Sequence, residues 1–252
     1  LHLLPLPGDP SYDDAGGIEK VLNRAARDLH ALQDGGVDGI LISNEFSLPY
    51  QTAVDTQVVA AMARIIGQLK KEIRLPYGVD VLWDPYKVFD LAVATDARFV
   101  REVFTGAYAG DLGLWHFNYG DIVRHRKAIG AMKIKALFNI VPEAASYLAE
   151  RDVVSVARST VFNCQPDALC VSGLTAGAST DSQTLQRVKD AVPETIVFAN
   201  TGVRIDNVEE QLMIADGAVI GTTFKQDGQF FNEVDEERVR VFMDKVKQMR
   251  EP

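Results

Sequence analysis

Short apolar, β-rich segments alternate with longer helical ones along the whole chain, and this regular order constrains the fold more than any other feature. A βαβα succession demands parallel strands joined by crossover helices. Eight strand candidates can be read: Leu1–Leu4, Gly39–Ser43, Tyr77–Leu82, Phe99–Phe104, Ile134–Ile140, Ala168–Ser172, Ile196–Ala199 and Ala218–Gly221. Helical patterns separate them near Ile18–Gln33, Thr56–Glu72, Pro85–Ala94, Tyr119–Ile129, Val153–Asn163, Ser182–Ala191, Val208–Ile214 and Glu236–Met249. Strands this continuously apolar suit a sheet buried on both faces. Eight such units favour closure into an α/β, single-domain (β/α)₈ TIM barrel spanning residues 1–252. An open doubly wound sheet is the competing architecture, but it usually carries a glycine-rich turn after its first strand, and here that turn reads Pro5-Leu-Pro-Gly8.

The junctions agree with these boundaries. Gly35-Gly36 ends the first helix, where residues tolerant of positive φ are favoured. Gln165-Pro-Asp167 and Val192-Pro-Glu194 stop helices ahead of the sixth and seventh strands, because Pro cannot continue a helix. Asp181 is placed to cap the helix that starts at Ser182, and Asp84, just before Pro85, to cap the third.

Composition narrows the function classes. The 252 residues are 47% hydrophobic, enough for one large core. No run of apolar residues is long enough to span a bilayer, so a cytoplasmic protein without a membrane span is expected. The chain opens at Leu1 without a basic-then-apolar leader, and its start is expected to be truncated within or just before the first strand. A net charge of −9 would repel a nucleic-acid backbone. The basic clusters Lys70-Lys71 and Arg124–Lys127 fall in helical stretches, where a solvated face explains them. Cys164 and Cys170 fit neither zinc-ligand nor redox spacing and read as two buried thiols. Assembly into a homo-oligomer stays open.

The strongest chemical constellation is late in the chain: Ser172-Gly-Leu-Thr-Ala-Gly177, Asn200-Thr-Gly202 and Gly221-Thr-Thr-Phe-Lys225 follow the last three strands. Glycines let backbone N–H groups approach an anion, hydroxyls add donors, and barrels of this kind commonly hold phosphate there. Ser172, Gly173, Thr175, Gly202, Gly221, Thr222, Thr223 and Lys225 are therefore the candidate phosphate-binding residues; the bland alternative is that each glycine only eases a turn. Polar residues also recur at earlier strand ends. His2, Asn44, Asp80, Arg101, Glu102, Asp111 and Asn139 are the catalytic candidates, with Glu45, Asp84 and Glu143 on the same rim. Of the consecutive pair Asn44 and Glu45, alternation allows only one to face the pocket. Asp80 and Arg101 are expected to meet across adjacent strands, either as an ion pair that locks the barrel or as an acid whose pKa the guanidinium tunes.

No HExxH, His–Cys cluster or Walker-type loop is present in the sequence, and no cofactor is expected. A divalent metal held by two or three of the carboxylates stays open. Lys135 lies at the start of its strand, the wrong end for a Schiff base on the catalytic face.

The opening His2–Gly8, Gly35-Gly-Val-Asp-Gly39, Asn44 with Pro49-Tyr50, Asp167–Gly173 and Gly221–Lys225 together resemble the BtpA family. Ser43–Tyr50, Leu137–Glu143 and Ala168–Gly177 resemble its SgcQ-like branch. The resemblance covers the whole chain and implies a barrel of the ribulose-phosphate-binding type. Members are linked by name to photosystem I biogenesis, and the branch to a bacterial sugar-phosphotransferase gene region. His2, Asn44, Arg101, Asp111, Ser172, Gly173, Thr175, Gly202, Gly221, Thr222 and Lys225 fit the family pattern best. Ser43 and Ser47 stand where the wider family is expected to carry acids.

The resulting expectation is an enzyme acting on a small phosphorylated metabolite, such as a sugar phosphate, by isomerisation, epimerisation or aldol-type cleavage. Asp80, Glu102 or His2 would move a proton, and Arg101 or Asn139 would polarise the oxyanion. The alternatives are a non-catalytic binding or assembly factor and a nucleoside- or nucleotide-cleaving hydrolase.

Overall fold

The computed structural model describes residues 1–173 and 180–250. Seven parallel strands form one sheet in the order β1 (Ile40–Ser43), β2 (Tyr77–Asp80), β3 (Phe99–Glu102), β6 (Lys135–Asn139), β8 (Ala168–Val171), β9 (Ile196–Ala199) and β10 (Gly217–Ala218). Helices fill the crossovers: α1 (Gly17–Asp34), α2 (Thr56–Leu69), α3 (Lys87–Thr95), α4 (Tyr119–Ala128), α5 (Val153–Cys164), α6 (Ser182–Ala191), α7 (Val208–Ile214) and α8 (Glu236–Arg250). β2 and β8 are buried at every position, as a sheet covered on both faces requires. α1 buries Val21, Ala25, Leu29 and Leu32, one face at helical spacing, against the main core.

The expected first strand is reduced to a parallel bridge. His2 opposes Ser43, and Leu3 N–H donates to the Ser43 carbonyl at 2.9 Å. The expected eighth strand is also shorter than Ala218–Gly221: β10 has two residues, and Gly221 begins a 3-10 turn at Thr222–Phe224. Among the described residues no ladder joins β10 to the Leu1–Leu4 segment. The sheet is nonetheless curled, because a Cβ placed on Gly221 would sit 3.2 Å from His2 Nε2. The sheet's two ends therefore meet through side-chain contact.

The long stretch Thr105–Asn118, in which none of the eight expected strands falls, forms a hairpin. β4 (Gly106–Gly110) pairs antiparallel with β5 (Gly113–Phe117) and with β7 (Ala145–Tyr147), giving a separate three-stranded sheet. Its Tyr108 and Trp115 pack on Leu82, Trp83 and Val103, residues that follow β2 and β3. It thus roofs the carboxyl ends of these strands.

Caps follow the sequence reading. Asp181 accepts from Thr184 N–H at 2.9 Å. Asp84 accepts from Lys87 N–H at 3.0 Å and from Val54 N–H at 2.9 Å, so it ties the loop after β1 to the start of α3. Of the two cysteines, Cys170 is fully buried but Cys164 only partly, because it ends α5 at the helix surface.

Candidate active site

In a parallel pair, residues in register project to the same face. Gly78 pairs with Phe99 and Val79 with Val100, so Asp80 and Arg101 come next to one another. Arg101 Nε donates to Asp80 Oδ2 at 2.9 Å, the meeting the sequence predicted. From there a polar chain crosses the concave face. Arg101 Nη1 donates to Asn200 Oδ1 at 2.8 Å, Asn200 Nδ2 to Ser172 Oγ at 2.6 Å, and Ser172 Oγ to Asn139 Oδ1 at 3.3 Å. Five strand ends, those of β2, β3, β9, β8 and β6, are thereby linked by side chains alone.

The chain runs directly into the late loops. Gly173 N–H donates to Thr201 Oγ1 at 2.7 Å, and Thr223 Oγ1 donates to the Val203 carbonyl at 2.7 Å. Gly202 takes a φ of 64°, a left-handed value that favours glycine. The loops after β8, β9 and β10 are therefore bonded to one another. Gly221 and Thr222 open the 3-10 turn in the same cluster. Thr175 lies outside the described residues.

Lys225 does not join these loops through its amine. Its side chain is buried between α1 and the segment after β10, with Nζ 3.8 Å from Asp28 Oδ2 and over the Phe46 ring. Burial lowers its pKa to about 8, partly offset by Asp28. Asp28 also accepts from Arg24 Nε at 3.0 Å and from Val234 N–H at 2.8 Å, so the group anchors the C-terminal segment to α1. His2 is buried between Phe46 and Phe230, and burial pushes its pKa well below the usual imidazole range. A neutral ring packed in the wall fits it better than a proton carrier does.

The remaining candidates separate by what their oxygens do. Asn44 Oδ1 accepts from Leu82 N–H at 2.8 Å and holds the neighbouring strand end. Glu102 accepts from Trp83 N–H at 2.8 Å and Val103 N–H at 2.7 Å; burial, then the charge of Asp80, push its pKa well up. Asp111 is exposed between β4 and β5, its N–H donating to the Ala144 carbonyl. It lies at the hairpin tip, apart from the hydrogen-bonded chain.

Two rim residues that are not among the catalytic candidates also belong to the site. Glu45 and Glu143 both feel the charges of Arg101 and Asp80. Burial raises the pKa of Glu45 to about 7 and that of Glu143 in the same direction, while Arg101 pulls both back. Burial also raises that of Asp80 against the pull of Arg101. Burial lowers the Arg101 pKa, but Asp80 and Glu45 more than offset it, and the guanidinium stays charged. The result is one cation paired with Asp80 and within the field of Glu45 and Glu143, an arrangement that can hold an oxyanion and exchange a proton. Among the described residues, no three His, Cys, Asp or Glu side chains group so as to hold a metal ion, and no helix is long and apolar enough to cross a membrane.

A curled parallel sheet carrying its polar groups at the strand carboxyl ends defines an α/β protein of the TIM-barrel type. Within that class the chain belongs to the BtpA family, whose profile matches residues 1–248. It is 62% identical over 249 residues to the putative sgc region protein SgcQ of Escherichia coli K12, covering 99% of this chain and 93% of that one. It is 29% identical to the photosystem I biogenesis protein BtpA of Synechocystis sp., covering 97% and 85%. Among solved structures it resembles the N-acetylmannosamine-6-phosphate 2-epimerase of Clostridium perfringens, with a TM-score of 0.56 and 14% identity over 98% and 91% of the two chains. That likeness concerns the fold.

Proposed function

We propose that this chain is a single-domain enzyme of the cytoplasm, in which eight βα units close a barrel around a site for a phosphorylated sugar or related small metabolite. The phosphate lies on the loops after β8, β9 and β10, and the reaction at the Asp80–Arg101 end is an isomerisation, epimerisation or aldol-type cleavage. One observation carries this reading: the unbroken chain Asp80–Arg101–Asn200–Ser172, which connects the Asp80–Arg101 ion pair to loops rich in glycine and hydroxyl groups. Phosphate bound at one end would fix a carbonyl at the other, so that binding energy positions the reacting atoms. The epimerase of like fold, named for a phosphorylated amino sugar, agrees with this class.

Thermal denaturation with inorganic phosphate and a panel of sugar phosphates tests the reading. Ligand that binds only the folded state raises the melting temperature by an amount that grows with the logarithm of its concentration relative to Kd. A rise is expected with both, and Thr222→Val should weaken it by about tenfold in affinity, the order of one lost hydrogen bond to a charged group. Unchanged melting across the panel at millimolar ligand would remove the proposal.

The name of the Synechocystis relative favours a second reading, a binding or assembly factor without turnover. Full function in cells after Asp80→Ala, Arg101→Ala and Thr222→Ala, each tested singly, would select it.

A further inference from the structure

Glu45 and Glu143 differ from Asp80 and Glu102 in how little holds them, and of the two Glu45 is the one anchored beside β1. Both oxygens of Glu102 accept backbone N–H groups, and Asp80 has the Arg101 guanidinium. Among the described residues the Glu45 carboxyl accepts only from Ser43 Oγ, at a long 3.3 Å. Its backbone is nevertheless fixed, because Tyr50 OH donates to the Glu45 carbonyl at 3.0 Å. A carboxyl on a fixed backbone with spare hydrogen-bonding capacity is suited to changing its protonation state.

Arg101 also has capacity left. Nε and Nη1 are engaged by Asp80 and Asn200, which leaves donors of the five in the guanidinium fork, and the side chain keeps 13% of its surface. Asp80 Oδ1 is fully buried, and the Glu102 carboxyl, held largely protonated by burial, is the group beside it that can donate a proton to it. The groups facing Glu45 are Arg101 from β3, Asp80 from β2, Glu143 after β6, Tyr50 on its own loop and Lys225 after β10. An oxyanion docked on Arg101 would stand among three carboxyls. Each ionised carboxyl beside it then adds a like-charge cost to binding. Protonating one carboxyl removes that cost.

We propose that the ligand carries carboxylate or enediolate oxygens at the end opposite its phosphate, that these dock on the open edge of Arg101, and that Glu45 takes up one proton from solvent as they bind. This rests on the phosphorylated-ligand reading above. A carboxyl that accepts a proton on binding stands beside the reacting carbon in the correct state to return it.

The probe is 2-phosphoglycolate, which joins a phosphate to a carboxylate. Calorimetry at pH 8, in two buffers of different ionisation enthalpy, is expected to show uptake of close to one proton by the wild type. Its affinity should fall about tenfold per pH unit above neutrality, as binding linked to one proton requires. Glu45→Gln should bind without uptake and without that pH dependence, while Glu143→Gln keeps both; circular dichroism confirms that each variant is folded. Binding by the wild type without uptake, or uptake that survives in Glu45→Gln, overturns the proposal. So does 2-phosphoglycolate binding no better than inorganic phosphate, which leaves the phosphate reading standing. If neither anion binds, both readings fall.

Discussion

Arg101 is the residue on which the site's electrostatics turn, since Asp80 is fully buried and, among the described residues, pairs with no other cation. Removing one partner of such a pair strands a charge and costs about 3–5 kcal/mol. Arg101→Ala should therefore lower stability by that amount in urea unfolding, and Arg101→Ala with Asp80→Asn by clearly less. Equal losses would show that the pair is not coupled. Glu45 makes the opposite prediction. Its folded pKa, about 7, lies above the unfolded value of 4.5, so its contribution is fully present below pH 4.5 and is lost as pH rises through 7. Glu45→Gln should thus be the more stable protein at pH 8, by on the order of 2 kcal/mol, and this gain should vanish near pH 4. The Asp80–Arg101 contact was legible in the sequence because both residues lie within strands, where register fixes facing. The choice between Asn44 and Glu45 was not, because β1 ends at Ser43 and strict alternation ends with it.

The roof is the element that sequence periodicity missed. Three glycines between Gly106 and Gly113 read as a loop, yet Gly113 at φ 80° lets the chain reverse, and Tyr108 faces both Trp115 and Tyr147 across its ladders. Tyr108 and Trp115 stack at 4.4 Å, and Trp83 lies 5.5 Å from Trp115. Aromatic cross-strand pairs stabilise such small sheets where propensity does not. Trp115→Ala should cost about 3–5 kcal/mol within the roof. Hydrogen exchange is expected to show amides of residues 106–117 losing protection while β2 and β3 keep theirs. Loss spread evenly through the parallel sheet would mean that the roof is no separate unit. By contrast, most helices appear within a residue or two of their expected bounds, because Gly, Pro and Asp at their ends act locally.

At the scale of the molecule, alternation identifies βα units but not which edges pair. The parallel strands follow one another in chain order, as a barrel requires, but the short ends of the sheet and the approach of His2 to Gly221 across them became visible only with the structure. The same limit applied to the site: the sequence named three glycine-and-hydroxyl loops, but their mutual hydrogen bonds and their link to Arg101 depend on the curl of the sheet. The central claim is that one small ligand spans this distance, phosphate at the late loops and oxyanion at Arg101. A crystal structure of the protein soaked with 2-phosphoglycolate tests it most directly. The account predicts density that joins Gly173, Gly202 and the Gly221–Thr223 turn to the open edge of Arg101. An anion bound elsewhere, or clear loops and an empty Arg101 edge at saturating ligand, would contradict it.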